Sequence, residues 1–182
     1  MNLKGRNMKT LVVIDMQNDF IDGSLANPDA QKIVDNIART VSEWIGSVIF
    51  TRDTHTENYS ETEEGRHLPI PHCIKETFGW EINDKIYSAA INNKNARLKI
   101  VDKPTFGAGT LLYDAIMEGE KPCEVVFVGT CTDICVVSNV LILKSFLSET
   151  PISVIESLCA GLTKEKHAAA IEVMRSCQVK II

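Results

Sequence analysis

The chain has 182 residues, 45% hydrophobic and 24% charged, with a formal net charge of -5. That length and balance suit one globular domain over residues 1–182 with a sizeable core, and they exclude a disordered or low-complexity chain. The acidic balance, pI about 5.4 with no block of Lys and Arg, argues against a nucleic-acid or anionic membrane surface as partner.

The start, Met1 to Met8, is basic, but the apolar run after it, Leu11 to Ile14, is too short for a signal-peptide core. No segment reaches the length of a membrane span, so a cytoplasmic location without a membrane partner is expected. The six cysteines are scattered through apolar segments, which predicts reduced thiols and no disulfide framework. Thr10 to Ile14 reads as a continuous apolar strand ending at Asp15. Asn27-Pro28 caps and starts a helix whose apolar face carries Ile33, Val34, Ile37, Val41 and Trp44. Ser47 to Thr51 is a second strand. A polar stretch from Arg52 to about Trp80 follows, long for a loop and holding three of the four histidines, as functional loops do.

Leu98 to Asp102 predicts a third strand, running into Lys103-Pro104, and Gly109 to Glu118 a short helix. Val125 to Val128 is a buried strand that breaks at Gly129. It feeds a helix opening around Thr132-Asp133 and continuing to Leu143. Pro151 to Ile155 is another strand, Thr163 to Cys177 the last amphipathic helix, and Gln178 to Ile182 a final short strand. Continuous apolar strands alternating with helices predict an α/β fold, a three-layer α/β/α sandwich with a mainly parallel central sheet. Such sheets bind ligands beyond the carboxyl ends of their strands, where Asp15, Asp53, Lys103 and Cys135 all fall.

Cys135 sits in the first turn of its helix, where free backbone N–H groups and the dipole favour a thiolate nucleophile. A buried structural thiol is the plainer reading. Asp15 caps a turn or, beside a thiol, takes its proton and returns it to a leaving group. Lys103 is a solvated surface lysine or, beside both, favours the anions and aligns them. Asp53 and His55 lie two apart in an extended segment and so point the same way. They suit one metal ion, with His72 a third ligand and Glu64 a fourth; the alternative is a solvated polar loop. His67 and Cys73 are read as non-ligands. Cys123, Cys159 and Cys177 are read as core or near-surface thiols, His167 as structural or solvated, and Trp44 and Trp80 as packing anchors.

Five segments in order carry a family resemblance: Val13 to Phe20, Thr51 to His55, Pro71 to Cys73, Lys103 to Phe106, and Gly129 to Cys135. Over nearly its whole length the chain resembles the isochorismatase-like cysteine hydrolases, and within them the nicotinamidases and pyrazinamidases. The resemblance implies a catalytic triad of Asp15, Lys103 and Cys135. It also implies a non-proline cis peptide before Cys131, and an oxyanion hole made by the backbone amides of Cys131 and Cys135. A divalent metal on Asp53, His55 and His72 is implied, zinc first, then manganese or iron, with Glu64 replacing a histidine usual further along the loop; Asn58 and Tyr59 stand there. The substrate pocket is expected at Phe20, Leu68 and Phe106, and Leu68-Pro69-Ile70-Pro71 lacks the aromatic usual before the His-Cys pair.

The activity implied is hydrolysis of a small primary amide through a thioester, nicotinamide to nicotinate and ammonia, in pyridine-nucleotide salvage by a homo-oligomer. One alternative keeps the machinery and changes the substrate to another small amide, a carbamoyl or a ureido compound. Another class of reading is a thiol redox sensor or a non-catalytic domain, with Cys131 and Cys135 four apart at a helix entrance.

Overall fold

A computed structural model describes residues 8–182; the basic start read at Met1 to Asn7 lies outside them. Six strands form one parallel sheet in the order β3-β2-β1-β4-β5-β6. They are β1 (Lys9–Ile14), β2 (Gly46–Asp53), β3 (Ala96–Lys103), β4 (Glu124–Thr130), β5 (Ile152–Ala160) and β6 (Lys180–Ile181). Every strand pairing is parallel. β1 and β4 are buried almost throughout, which is why their sequences are continuous apolar runs rather than alternating ones.

The helices are α1 (Asn18–Ile21), α2 (Pro28–Glu43), α3 (Glu63–His67), α4 (Asp84–Asn92), α5 (Thr110–Met117), α6 (Val137–Phe146) and α7 (Lys164–Ser176). One face of the sheet packs Leu11, Val13 and Phe50 against Ile33, Ile37 and Val41 of α2 and Ile86 of α4. The other packs Val12, Ile49 and Phe127 against Leu112 of α5, Val140 and Leu143 of α6 and Ile171 and Met174 of α7. This is the expected three-layer arrangement. Asn27 caps α2 as expected, its Oδ1 accepting from the amides of Asp29 and Ala30. Trp44, expected on the apolar face of that helix, is instead its C-terminal cap and packs from there onto the α2 side of the core.

Three local expectations are corrected. The stretch from Arg52 to Trp80 is not a bare loop: it folds into 3-10 turns at Tyr59–Glu61 and Phe78–Trp80 around α3, whose N-cap Thr62 accepts from Gly65. The sequence between Trp80 and β3 holds α4, started by Asn83, whose side chain accepts from Lys85. β5 runs on to Ala160, through a register shift against β4 between Phe127 and Gly129. Among the described residues, no helix is long and apolar enough to cross a membrane.

The strand order reverses between β1 and β4, and the crevice of such a sheet opens there, outside the carboxyl ends. Gly129 permits the close approach at that point. Its φ is +123°, and a Cβ there would stand 2.1 Å from the carbonyl oxygen of Ile14. A side chain would force β1 and β4 apart beneath the site.

Candidate active site

Asp15 leaves the end of β1 with a left-handed φ of 46°, which turns its carboxyl into the crevice. Thr51 on the neighbouring β2 holds it: the Asp15 amide donates to Thr51 Oγ1 at 3.2 Å, and that hydroxyl donates to Asp15 Oδ1 at 2.6 Å. Lys103 ends β3, fully buried, with its Nζ 2.7 Å from Asp15 Oδ2. The same ammonium lies 3.3 Å from Asp53 Oδ1, donates to the Thr105 carbonyl at 3.2 Å, and stands 3.6 Å from Cys135 Sγ. The four residues expected at the strand ends therefore do meet, and Lys103 touches the other three.

Cys135 belongs to a π turn, Thr132–Val136, that precedes α6. The wide turn is closed by the Val136 amide donating to the Cys131 carbonyl at 3.0 Å. The Thr130–Cys131 peptide is cis, as the resemblance implies. Asn139 fixes the turn from one helical turn on: its Nδ2 donates to the carbonyls of Cys135 at 2.8 Å and Phe106 at 3.0 Å, while its Oδ1 accepts from Ala108.

The expectation that a helix start stabilises the Cys135 thiolate is corrected. Burial, seconded by the Asp15 charge, pushes the thiol well above its ordinary range, and the Lys103 ammonium offsets only part of this. Burial likewise raises Asp15, against the pull of Lys103. For Lys103, burial works to lower the ammonium, but Asp15, Cys135 and Asp53 together hold it above its usual value. In full burial, desolvation favours the uncharged form of a thiol. A thiol and a carboxyl group, both pushed upward by burial, thus stand beside an ammonium held above its usual value.

Asp53, His55, Glu64 and His72 each offer one ligand atom, all within 4.8 Å of one another. Asp53 Oδ2 lies 3.0 Å from His55 Nε2 and 3.5 Å from His72 Nε2, and Glu64 Oε1 is 3.7 Å from both imidazoles. The Nδ1–H of His72 donates to the Ile70 carbonyl at 2.9 Å, which aims Nε2 at Asp53 and Glu64. Tyr59 is buried against both rings, 4.8 Å from His55 and 5.0 Å from His72 by centroid, and its hydroxyl donates to the Leu68 carbonyl. Two imidazoles and two carboxylates converging edge to edge fit a divalent transition metal. Burial favours a neutral Asp53, but hydrogen bonds from His55 and His72 and the Lys103 charge hold it far below the carboxylate range. Burial and Asp53 raise Glu64.

His67 points away, 78% exposed and paired with Glu63 at 3.0 Å. Cys73 is buried against Phe20 and Trp80, its amide donating to Asp19 Oδ2 at 2.7 Å. Phe20, Leu68 and Phe106 line a cavity of about 550 Å³ that reaches Cys135, Cys131, Asp53, Glu64 and His72. None of the six cysteines is bonded to another.

Three residues in the site were not read from the sequence as functional. Thr51 supports Asp15, and Asn139 supports the Cys135 turn. Gln17, fully buried, donates from Nε2 to the carbonyls of Asp53 at 2.9 Å and Trp80 at 2.8 Å, and accepts the Asp53 amide at 2.7 Å. It locks the β1 end to the start of the ligand loop. Its signals in the sequence were its place two beyond a strand-terminal Asp and within the Val13 to Phe20 segment.

Residues 9–182 match the isochorismatase domain family. A nicotinamidase of Saccharomyces cerevisiae is 32% identical over 127 residues, which take in 53% of this chain and 56% of that one. A solved pyrazinamidase/nicotinamidase of Streptococcus mutans is 28% identical, covers 96% of this chain and 99% of that one, and superposes with a TM-score of 0.80. A pyrazinamidase of Pyrococcus horikoshii solved in complex with zinc shares the fold, at 24% identity and a TM-score of 0.77, over 96% and 98% of the two chains.

Proposed function

The chain belongs to the isochorismatase domain family, and from that premise we propose that it is a cysteine-dependent amidohydrolase, converting nicotinamide to nicotinate and ammonia. The observation that carries this reading is the Lys103 ammonium 2.7 Å from the Asp15 carboxyl and 3.6 Å from the Cys135 sulfur. An acid–base group, a cation and a thiol in one buried contact suit acyl transfer.

Asp15 takes the Cys135 proton as Sγ attacks the amide carbonyl carbon. The carbonyl electron pair moves to oxygen, where the amides of Cys131 and Cys135 receive it. The C–N bond then breaks, Asp15 returns its proton to the departing nitrogen, and ammonia leaves a thioester on Cys135. Water attacks that thioester, gives a proton to Asp15, and releases the carboxylic acid and the thiol. Lys103 stays protonated throughout and stabilises each anion in turn. Asp53, His55, Glu64 and His72 would hold a divalent ion, and zinc is among those their imidazole and carboxylate donors suit. Such an ion would supply a Lewis-acid site for a ring nitrogen or its waters. Phe20 forms one wall for the ring, with Leu68 in place of an aromatic facing wall.

Redox sensing is disfavoured because burial holds the Cys131 thiol at about 11 and peroxide reacts with thiolates.

Purified protein is expected to release ammonia from nicotinamide, and Cys135→Ala to abolish this. Activity retained by the variant would remove the covalent mechanism. Ammonia released from other amides but not from nicotinamide would overturn the substrate.

A further inference from the structure

The cavity above Cys135 is larger than a one-ring carboxamide requires. Its volume is about 550 Å³, within the range of roughly 300–1,000 Å³ that takes drug-sized ligands. Its polar groups gather at one end, where Asp53, Glu64 and His72 stand beside Cys135. Away from that end the lining side chains, Ser24 apart, are apolar, among them Leu25, Leu68, Phe106, Ile134 and Leu162. Phe106 and Leu162 are 47% and 52% exposed, so they stand at the mouth in contact with water.

A neighbouring cavity of about 620 Å³ shares Glu64, Leu68, Phe106 and Ile134 with the first. The partition between the two is therefore apolar on all but the metal-ligand side. The nearest cation, Lys103, is already engaged by Asp15 and Asp53. Large apolar side chains left wet at a pocket mouth gain when an apolar group covers them.

Resting on the amidohydrolase reading, we propose that the enzyme prefers an amide of the nicotinamide type whose ring carries an uncharged apolar extension, seated at the mouth against Phe106, Ile134 and Leu162. The carboxamide end is set by Cys135 and the polar cluster, and the extension replaces water on the apolar walls. Each methylene buried there is expected to raise kcat/KM about fourfold. A carboxylate on the same extension finds no cation and lowers it.

The test measures ammonia release from nicotinamide, from its 4-, 5- and 6-propyl derivatives, and from the matching 2-carboxyethyl derivatives. At least one propyl compound is expected to exceed nicotinamide tenfold or more in kcat/KM, with its carboxyethyl counterpart below nicotinamide. Leu162→Lys, a change at an exposed position, is expected to raise kcat/KM for that carboxyethyl compound at least tenfold and to lower it for the propyl one. Nicotinamide turning over faster than every propyl derivative would overturn the proposal. So would a Leu162→Lys enzyme with unaltered preference. Ammonia from none of the compounds, nicotinamide included, would instead overturn the amidohydrolase reading and this inference with it.

Discussion

Lys103 has no access to solvent, yet its ammonium meets two carboxylates and a thiol. A buried pair of this kind contributes modestly as a pair but costs heavily when one partner is removed, because the other charge stays buried alone. Lys103→Met is therefore expected to destabilise the fold by about 3–5 kcal/mol, measured by urea denaturation, as Asp15 and Asp53 lose their shared cation. A change below about 1 kcal/mol would show that the carboxyl groups are not both ionised. Asp15→Asn keeps the shape and removes the proton acceptor. Its kcat is expected to fall by about 10²–10⁴ with a smaller loss of stability, and an unchanged kcat would assign the proton to another group. Thr51, Gln17 and Asn139 do no chemistry in this scheme; they fix where the reacting atoms stand.

Among the elements, the three central strands are tied at their amino ends as well as at the site. Lys9 of β1 and Glu124 of β4 are register partners, their side chains meet at 2.6 Å, and Ser153 of β5 donates to the same carboxylate. Hydrogen bonds from Lys9 and Ser153 hold Glu124 below its usual pKa. A lowered carboxylate stabilises the fold above its unfolded pKa, and that contribution is lost as pH falls through the folded value. Because Lys9 is more than half exposed, solvent screening limits the pair to at most about 1 kcal/mol. Glu124→Gln is thus expected to be less stable than the parent at pH 7 by up to that amount. Thermal melts should show the gap closing below about pH 4, and a gap constant down to pH 3 would contradict the ionic account. At the opposite end of β4, the π turn is secured by Asp133 Oδ1, which accepts the Leu162 amide at 2.9 Å, and by a 2.9 Å hydrogen bond between Thr132 and His167. The expected structural role of His167 is thereby specified: α7 braces the turn that carries Cys135.

Across the whole molecule, the reversal of strand order between β1 and β4 brings residues 15, 53, 103 and 135 to one edge. The proposed metal ligands come from the β2 end, the segment after it, α3 and the loop before α4. An ion held by all four closes that excursion onto the sheet and binds the folded state alone, so it raises stability by mass action. Zinc at a hundred times its Kd corresponds to about 2.7 kcal/mol, or a rise in Tm of roughly 5–10 °C for a chain of this size. Removing metal with a chelator is expected to lower Tm by that amount, and adding zinc back to restore it. An identical Tm with and without zinc would remove the metal from the proposal.

The sequence by itself determined the alternation of strands and helices, the layer arrangement and the four strand-end residues, because burial on both sheet faces writes continuous apolar runs whose ends are visible. Asp53, His55 and His72 were legible for a similar reason, since their spacing and residue types stand out in a polar segment. The helix α4 was not legible, being only nine residues long with few buried apolar positions, although Asn83 caps its start. Nor was the wide turn at Cys135, or the supporting work of Thr51, Gln17 and Asn139. Only the tertiary structure decided which charges surround the thiol. A helix start favours a thiolate in the open, but here burial, two carboxylates and one ammonium act together over a few ångströms, and that balance depends on distances between residues up to 120 apart in sequence.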